Sequence, residues 1–134
     1  MLKKMNIPDG FEPIISANSF GGRNGPIYEK CQDNVWVRGF LSEDKHANVA
    51  GVVHGGMLMT FADIVLSRAV LEVMQPPFVT MRMVSDFVSP AIIGSWVEGR
   101  ARVLTLNDGV CHVEGEISAR GKICLQVSGQ FKKL

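Results

Sequence analysis

The residues best suited to take part in a reaction are His54-Gly55-Gly56 and the acid Asp63, which lie in one largely apolar stretch. If a helix begins at the two glycines, its first amides have no intrahelical acceptor, and no side chain blocks a ligand from them. Such amides, together with the positive end of the helix dipole, stabilise an oxygen that carries or gains negative charge. Asp63 is flanked by apolar residues, so either it has a partner or a chemical task, or it lies on a solvated face.

The element that must position these residues is a helix, predicted to run from His54 to Met74. Apolar side chains recur there with the i, i+3, i+4, i+7 spacing of a helix that buries one face. Pro76-Pro77 follows, and proline disfavours a helical conformation both at its own position and at the residue before it. Three polar residues form a thin stripe along the predicted helix: Thr60, Asp63 and Ser67.

The spacing of His54 and Asp63 predicts that they point to opposite sides of this helix, about 13 Å apart along its axis. One chain therefore cannot bring both to the same atom. Two chains can, if their helices run antiparallel across a two-fold axis, because the Gly55 amide of one then faces the Asp63 carboxylate of the other. An oxyanion site beside a base or nucleophile is what acyl transfer needs, and one oxyanion donor is worth about 3 kcal/mol in other enzymes.

The rest of the chain predicts an antiparallel sheet. Two strands precede the helix and four follow it, with period-two alternation, at residues 28–31, 35–41, 78–88, 96–104, 110–119 and 123–131. Alternation predicts one shared face in the first strand after the helix for Val79, Met81, Met83, Ser85 and Phe87.

Four glycines lie within the apolar sets of different strands: Gly39, Gly99, Gly115 and Gly129. Glycine permits a bend or a close backbone approach, so these positions predict a sheet that curls around the helix. The predicted class is α+β, a curved antiparallel sheet wrapped around one long central helix. We expect residues 1–134 to form a single domain, with an irregular lead-in over residues 1–25 and a short helix near Ile15.

Composition narrows the partners and the compartment. A net charge of +1 gives no general attraction to nucleic acid or to an anionic membrane, and no apolar run reaches membrane-spanning length. The N-terminus has no apolar core typical of a signal peptide. Three widely spaced cysteines, Cys31, Cys111 and Cys124, favour neither a disulfide framework nor a metal site. We therefore expect a cytoplasmic protein that binds no metal and no cofactor.

One longer motif connects these residues: His46-x-Asn48-x-x-Gly51-x-x-His54-Gly55-Gly56-x6-Asp63. It resembles the signature of hotdog-fold acyl-CoA thioesterases, in the PaaI-like (phenylacetate-pathway type) branch of the hydroxybenzoyl-CoA thioesterase superfamily. Ser89-Pro90-Ala91 and Gly25-Pro26-Ile27-Tyr28 resemble that branch as well. The resemblance runs from about residue 25 to the end, and implies a hotdog fold, a homodimer or dimer of dimers, and hydrolysis of an acyl-CoA thioester.

The resemblance also implies roles for particular residues. The Gly55 amide would polarise the thioester carbonyl, with Asn48 helping to hold its oxygen. His54 would order the turn or approach the sulfur. Asp63 of the partner subunit would activate water or attack directly, and the short aspartate favours water activation. Thr80, early in the strand after the helix, stands where a hydroxyl residue often assists the acid.

Other assignments keep a structural alternative. Gly56 is expected at the substrate, and Ser67 either lines the acyl pocket or satisfies a backbone carbonyl. Met81 is either core or part of an adaptable acyl pocket. Arg82 is one of several cations that could bind the CoA phosphates. His46 is expected to stabilise its loop, and Asn48 either joins the site or caps a turn.

Two other functions remain open on the sequence alone. One is a non-catalytic acyl-CoA-binding hotdog module. The other is a hotdog dehydratase acting on hydroxyacyl thioesters, although the acid-histidine motif of that class is not found here. The acyl group and the pathway are not specified by the sequence.

Overall fold

The computed structural model describes residues 7–14 and 18–134, which form a seven-stranded antiparallel sheet packed against one long helix. The strands are numbered in chain order, and their order across the sheet is β1-β2-β3-β5-β6-β7-β4. The elements are β1 (Glu12–Pro13), α1 (Phe20–Arg23), β2 (Tyr28–Gln32), β3 (Val35–Leu41), α2 (Gly55–Val70), β4 (Phe78–Phe87), β5 (Trp96–Asn107), β6 (Val110–Ala119) and β7 (Lys122–Lys133).

The prediction of an irregular lead-in is wrong for two of its described segments, because β1 pairs with β2 and residues Phe20–Arg23 form the one-turn helix α1. Ser19 caps α1 by accepting from the Gly22 amide. The short helix predicted near Ile15 falls outside the described residues. Among the described residues, no helix is both long and apolar enough to cross a membrane.

Helix α2 begins where the sequence predicts but ends at Val70, earlier than the expected Met74. Leu71 N still donates to Ser67 O, but the next two amides turn back more tightly, because Glu72 N donates to Ala69 O and Val73 N to Val70 O. Such i→i+3 bonds satisfy terminal carbonyls and stop the α-helical ladder. Residues 71–73 form a turn rather than a further helical segment.

The core lies between α2 and the curved sheet. Phe61 and Leu66 of the helix are completely buried, and Phe61 meets Phe40 of β3 edge-on with ring centroids 4.8 Å apart. Two of the strand glycines face the helix as predicted. A Cβ at Gly99 would lie 3.0 Å from a Val65 methyl, and one at Gly129 would lie 2.9 Å from a Leu66 methyl. These positions allow the helix to lie close to the sheet.

Gly39 contradicts that prediction, because it faces away from the helix. The helix-facing residues of β3 include the two neighbours of Gly39: Phe40 packs on Phe61, and Arg38 Nη1 donates to the Ile64 carbonyl of α2 at 2.9 Å. The Trp96 ring occupies the space beside Gly39, where a Cβ would lie 2.1 Å from it. Gly39 therefore accommodates an indole on the outer face rather than the central helix.

Strand β4 lies at the edge of the sheet, and its face assignment differs from simple alternation. The pairing with β7 shifts between Thr80 and Arg82, so Met81 is an extra, bulged residue. Thr80 pairs with the buried Phe131, and Met83 pairs with Gly129. Paired residues share a face, so Thr80 joins Met83, Ser85 and Phe87 on the helix side, and Val79 does not.

Candidate functional site

The start of α2 is fixed by its own histidine. His54 is the N-cap residue, and its Nδ1 accepts a hydrogen bond from the Gly56 amide at 2.7 Å. A Cβ at Gly56 would lie 2.9 Å from that nitrogen, so glycine is needed for the ring to lie there. The expectation that both glycine amides are open is therefore wrong for Gly56. In the described structure His54 orders the turn, which was one of its two expected roles.

Gly55 provides the remaining open amide. It is the first helical residue, and no acceptor in residues 7–14 or 18–134 bonds its N–H. A Cβ at Gly55 would lie 3.4 Å from the Phe87 ring, an ordinary contact, so packing within this chain does not require glycine. The preceding segment is anchored by hydrogen bonds from Val53 N to Ala91 O at 2.9 Å and from His54 N to His46 O at 2.7 Å. A fixed N–H at a helix start suits an anionic oxygen.

The acid lies against the edge strand. Thr80 Oγ1 donates to Asp63 Oδ1 at 2.6 Å, across the space between β4 and α2. The bulge at Met81 makes this contact possible, because it turns Thr80 towards the helix. A hydroxyl donor on one carboxylate oxygen fixes the side chain and leaves the second oxygen for another proton or ligand. The structure thus brings together Thr80 and Asp63, the hydroxyl residue and the acid that the resemblance paired.

The other members of the polar stripe bond to their own helix. Thr60 Oγ1 donates to the Gly56 carbonyl at 2.9 Å, and Ser67 Oγ donates to the Ile64 carbonyl at 2.9 Å. Such back-bonding is a common use of hydroxyls in helices. Ser67 therefore takes the structural alternative given for it in the sequence analysis, and Asp63 is the member of the stripe that bonds to another element.

Asn48 and His46 both order the loop before α2. Asn48 Oδ1 accepts from the amides of Ala50 at 2.9 Å and Val52 at 3.2 Å. His46 is buried, with Nδ1 accepting from Glu43 N at 2.9 Å and Nε2 lying 2.6 Å from Asn24 O. This arrangement places the proton on Nε2 of a neutral ring. Burial lowers the pKa of His46, and its expected loop-stabilising role is confirmed.

Met81 and Arg82 do not lie in the space between α2 and β4 that Gly55 and Asp63 border. Met81 is the bulged residue and its side chain is half-exposed at the sheet edge. Arg82 pairs with Gln130 on the outer face and lines a small cavity of about 70 Å³ beside His112. The structure shows neither residue in contact with Gly55 or Asp63.

Gly55 and Asp63 both lie against β4, yet they do not form one site within a chain. Eight residues separate them, which corresponds to about 12 Å along the helix. Along β4, Phe87 packs beside Gly55 and Thr80 bonds to Asp63. A carbonyl held by the amide is therefore out of reach of the carboxylate of the same protomer.

Sequence reasoning missed two residues on the helix-facing side of β4. Phe87, at the strand end, has its ring against Gly55. The hydroxyl oxygen of Ser85 is buried, and no described residue hydrogen-bonds it. Both belong to the alternating set that the sequence predicts for one face, but alternation does not indicate which of its members border a ligand site.

Comparison with known proteins identifies the family. A family described as the thioesterase superfamily matches residues 50–124, more than half of the chain, which include α2, strands β4 to β6 and the start of β7. The chain belongs to the thioesterase superfamily. A Pseudomonas aeruginosa protein named as a candidate esterase is 30% identical over 132 residues, covering 95% of this chain and 97% of that protein.

Solved structures agree on the fold. A phenylacetic acid degradation-related protein from Ralstonia eutropha, named as a candidate thioesterase, superposes with a TM-score of 0.77 at 24% identity, covering 88% of this chain and 92% of that one. A Bacillus halodurans protein solved with CoA gives a TM-score of 0.74 at 19% identity, covering 79% and 72%.

The expected hotdog fold and superfamily are confirmed, and the protein is a thioester hydrolase. Among the residues that the structure describes, no group of three His, Cys, Asp or Glu side chains could hold a metal ion. Along α2 and β4 the described structure presents the Gly55 amide at the helix start and, further along, the Asp63 carboxylate with the Thr80 hydroxyl.

Proposed function

We propose that this thioester hydrolase acts on acyl-CoA as a homodimer, with each site built from the helix start of one protomer and Asp63 of the partner subunit. The observation that carries the proposal is the Thr80–Asp63 hydrogen bond of 2.6 Å. It holds the acid against β4, on the side of the helix where the open Gly55 amide also lies. The Bacillus halodurans neighbour, solved with CoA, supports CoA as the thiol part of the substrate.

The edge strand supports a site shared between two chains. β4 pairs with β7 alone in the described sheet, so its other edge is open. Three of its apolar side chains are also exposed by 44–50%: Val79, Met81 and Val84. An open apolar edge favours pairing with another strand. A two-fold axis beside β4 would set two α2 helices antiparallel and bring Asp63 of the partner subunit towards Gly55. A dimer of such dimers is the larger assembly that the resemblance implies.

In this site the Gly55 amide donates to the thioester carbonyl oxygen, and its hydrogen bond strengthens as that oxygen becomes an alkoxide. The carboxylate of Asp63 takes a proton from water while the water oxygen attacks the carbonyl carbon. The tetrahedral intermediate then breaks its carbon–sulfur bond. The sulfur leaves with the proton, and the products are free CoA thiol and a carboxylic acid.

The remaining site residues have supporting roles in the proposal. Thr80 holds one oxygen of Asp63, so the other faces the water. His54 keeps the first turn of α2 in place through the Gly56 amide. Asn48 orders the loop through its carbonyl oxygen, and its amide nitrogen is the atom proposed to donate to the substrate oxygen. We also propose that Gly56 acts by admitting the His54 ring rather than by contacting the substrate.

Mixing two inactive variants tests whether the site is shared. Asp63→Asn removes the base, and Gly55→Pro removes the amide hydrogen. Proline is tolerated at the first helical position, and His54, at φ −57° and ψ 134°, already has the backbone conformation that precedes proline. Gly55→Ala is the matched control, because it keeps the amide and its Cβ makes only an ordinary contact.

We expect each variant alone to be nearly inactive, and Gly55→Ala to lose far less activity than Gly55→Pro. Co-expression with two different affinity tags gives heterodimers in which one site is intact and the other lacks both groups. Random mixing then restores about a quarter of wild-type thiol release. Isolated heterodimers without activity, or an active wild-type monomer in sedimentation, would contradict the shared site.

A further inference from the structure

Phe87 has an unusual environment for a large apolar side chain. Its ring is 56% exposed, although it lies on the helix-facing side of β4. Two ring carbons lie 3.4 and 3.5 Å from the place that a Cβ on Gly55 would occupy. The exposed part of the ring therefore borders the open amide rather than the core of the protomer.

The ring is held there by the surrounding backbone. Phe87 is paired with Leu125 of β7, and the next residue, Val88, donates its amide to Cys124 O at 2.8 Å. A few residues further on, the Val53–Ala91 hydrogen bond fastens this segment to the residues that lead into Gly55. The backbone segments that carry the ring and the amide are thus held to their neighbours by hydrogen bonds.

A carbonyl bound at Gly55 must pass close to this ring. With its oxygen about 2.9 Å from the amide nitrogen, the carbonyl carbon lies within about 4 Å of that nitrogen. The acyl α-carbon is one bond further away. The ring edge is about 3.5 Å from the Gly55 Cβ position, which is itself about 2.5 Å from the nitrogen. The ring and the substituents on the acyl α-carbon therefore lie close enough to contact each other.

We propose that Phe87 is a specificity-determining residue that forms the apolar wall beside the thioester carbonyl and limits branching at the acyl α-carbon. The inference rests on the proposed function, since it places the carbonyl at Gly55. A flat apolar wall packs against an unbranched acyl chain and excludes water from the Gly55 hydrogen bond. A second α-substituent would meet the ring.

Truncation of Phe87 is a suitable test because more than half of the side chain is already exposed and the fold depends little on it. The measurement is kcat/KM for n-butyryl-CoA and isobutyryl-CoA, which have the same number of carbons and differ in branching at the α-carbon. The variants are Phe87→Ala and Phe87→Trp. Leu106→Ala is the matched control, an apolar residue of β5 that is 45% exposed and outside the proposed site.

In Phe87→Ala we expect kcat/KM for n-butyryl-CoA to fall about tenfold, and the preference for it over isobutyryl-CoA to fall at least about fivefold. Phe87→Trp should increase that preference, whereas Leu106→Ala should leave both values within about twofold. An unchanged preference in Phe87→Ala would overturn the inference. So would a loss of activity explained by dissociation in sedimentation, because the ring would then serve the subunit interface.

Failure of this inference differs from failure of the proposed function. If wild-type protein releases no thiol from any acyl-CoA, or if Asp63→Asn retains full activity, the proposed function fails and the inference fails with it. If wild-type protein hydrolyses both substrates and Asp63→Asn does not, while Phe87→Ala keeps the wild-type preference, only the role of Phe87 is wrong.

Discussion

Charged side chains on the two sides of α2 have different kinds of bonding partner. On the side of β3, Arg38 donates to Glu29 at 3.1 Å and to the Ile64 carbonyl at 2.9 Å. Arg68 lies 3.8 Å from the same Glu29 and packs over the Trp36 ring at 4.2 Å. On the side of β4, Asp63 is held by the neutral hydroxyl of Thr80, and no ion pair to it occurs in the described part of the chain.

The charged groups on the β3 side bond to one another and stabilise the fold, whereas the carboxylate proposed for catalysis lies on the β4 side. The guanidinium and carboxylate of the β3 side are mutually compensated, and burial lowers the pKa of Arg38 against the opposing effect of Glu29. A carboxylate that already bonds cations has little capacity left to take a proton from water. Asp63 is bonded to a neutral donor beside an open sheet edge, and in the proposed mechanism it is the carboxylate that takes the proton from water.

The largest effect should come from the acid itself. Asp63→Asn keeps the size and the Thr80 contact but removes the base, so we expect thioester hydrolysis to fall on the order of 10³-fold or more. Free thiol released from acyl-CoA is the measurement, with sedimentation to show an unchanged assembly. Glu72→Gln, in the exposed turn that follows the same helix, is the control and should keep its activity. Near-wild-type turnover in Asp63→Asn would remove the distinction between the two sides.

On the β3 side, a substitution should lower the stability of the fold rather than the activity. Arg38→Met leaves Glu29 with fewer donors in a partly buried site, so we expect the free energy of unfolding to fall by about 2 kcal/mol in urea denaturation. The exposed pair of Arg102 and Glu114 is the control, because Arg102→Met should change stability by under about 0.5 kcal/mol. If Arg38→Met also lowers kcat while the protein remains folded, the β3 side takes part in catalysis.

A smaller effect is expected at Thr80. Thr80→Val preserves the shape and removes the hydroxyl that fixes Asp63, so we expect kcat to fall about tenfold with little change in KM. Thr80→Ser retains the hydroxyl and should stay within about threefold of wild type. Equal losses in the two variants would show that packing of the methyl group, rather than the hydrogen bond, matters at this position.

The smallest effect concerns the loop that carries the site. The unfolded chain protonates His46 near pH 6.5, whereas burial lowers its pKa in the folded protein. At pH values between the two pKa values, the unfolded state binds more protons than the folded state. The contribution of neutral His46 to stability is therefore lost as pH falls below about 6.5. We expect at most about 1.4 kcal/mol per pH unit from this residue.

Urea denaturation at pH 7.5 and pH 5.5 measures that contribution. His46→Asn is the comparison, because it retains an oxygen acceptor for the Glu43 amide and does not titrate. The loss of stability on acidification should be smaller in this variant than in wild type. An identical loss would mean that other groups account for the whole pH dependence.

Much of the fold could be predicted because its signals are local. The apolar periodicity of residues 57–70 indicates α2, and alternation together with turn residues indicates β2 to β7 with small errors at their ends. The end of α2 was less predictable. Proline sets an outer limit, but the i→i+3 bonds after Val70 decide where the helix stops.

Face assignments were less reliable because they depend on pairing between distant segments. The alternation in β4 groups Met81 with Met83, whereas the bulge moves Thr80 to the helix side. In β3, the side that faces the helix was predicted incorrectly at Gly39. No local pattern shows that the Trp96 ring fills the space beside that glycine.

Residue types and their spacing predict that a helix begins at paired glycines after a histidine, carries an acid two turns later, and is enclosed by a sheet. These features follow from residue type and period, which act over a few neighbours. Contacts between distant segments establish which glycine amide stays open, that Thr80 bonds to Asp63, and that Phe87 borders Gly55. Each of these depends on strand register and side-chain packing between segments far apart in the chain, where a shift of one residue changes the outcome.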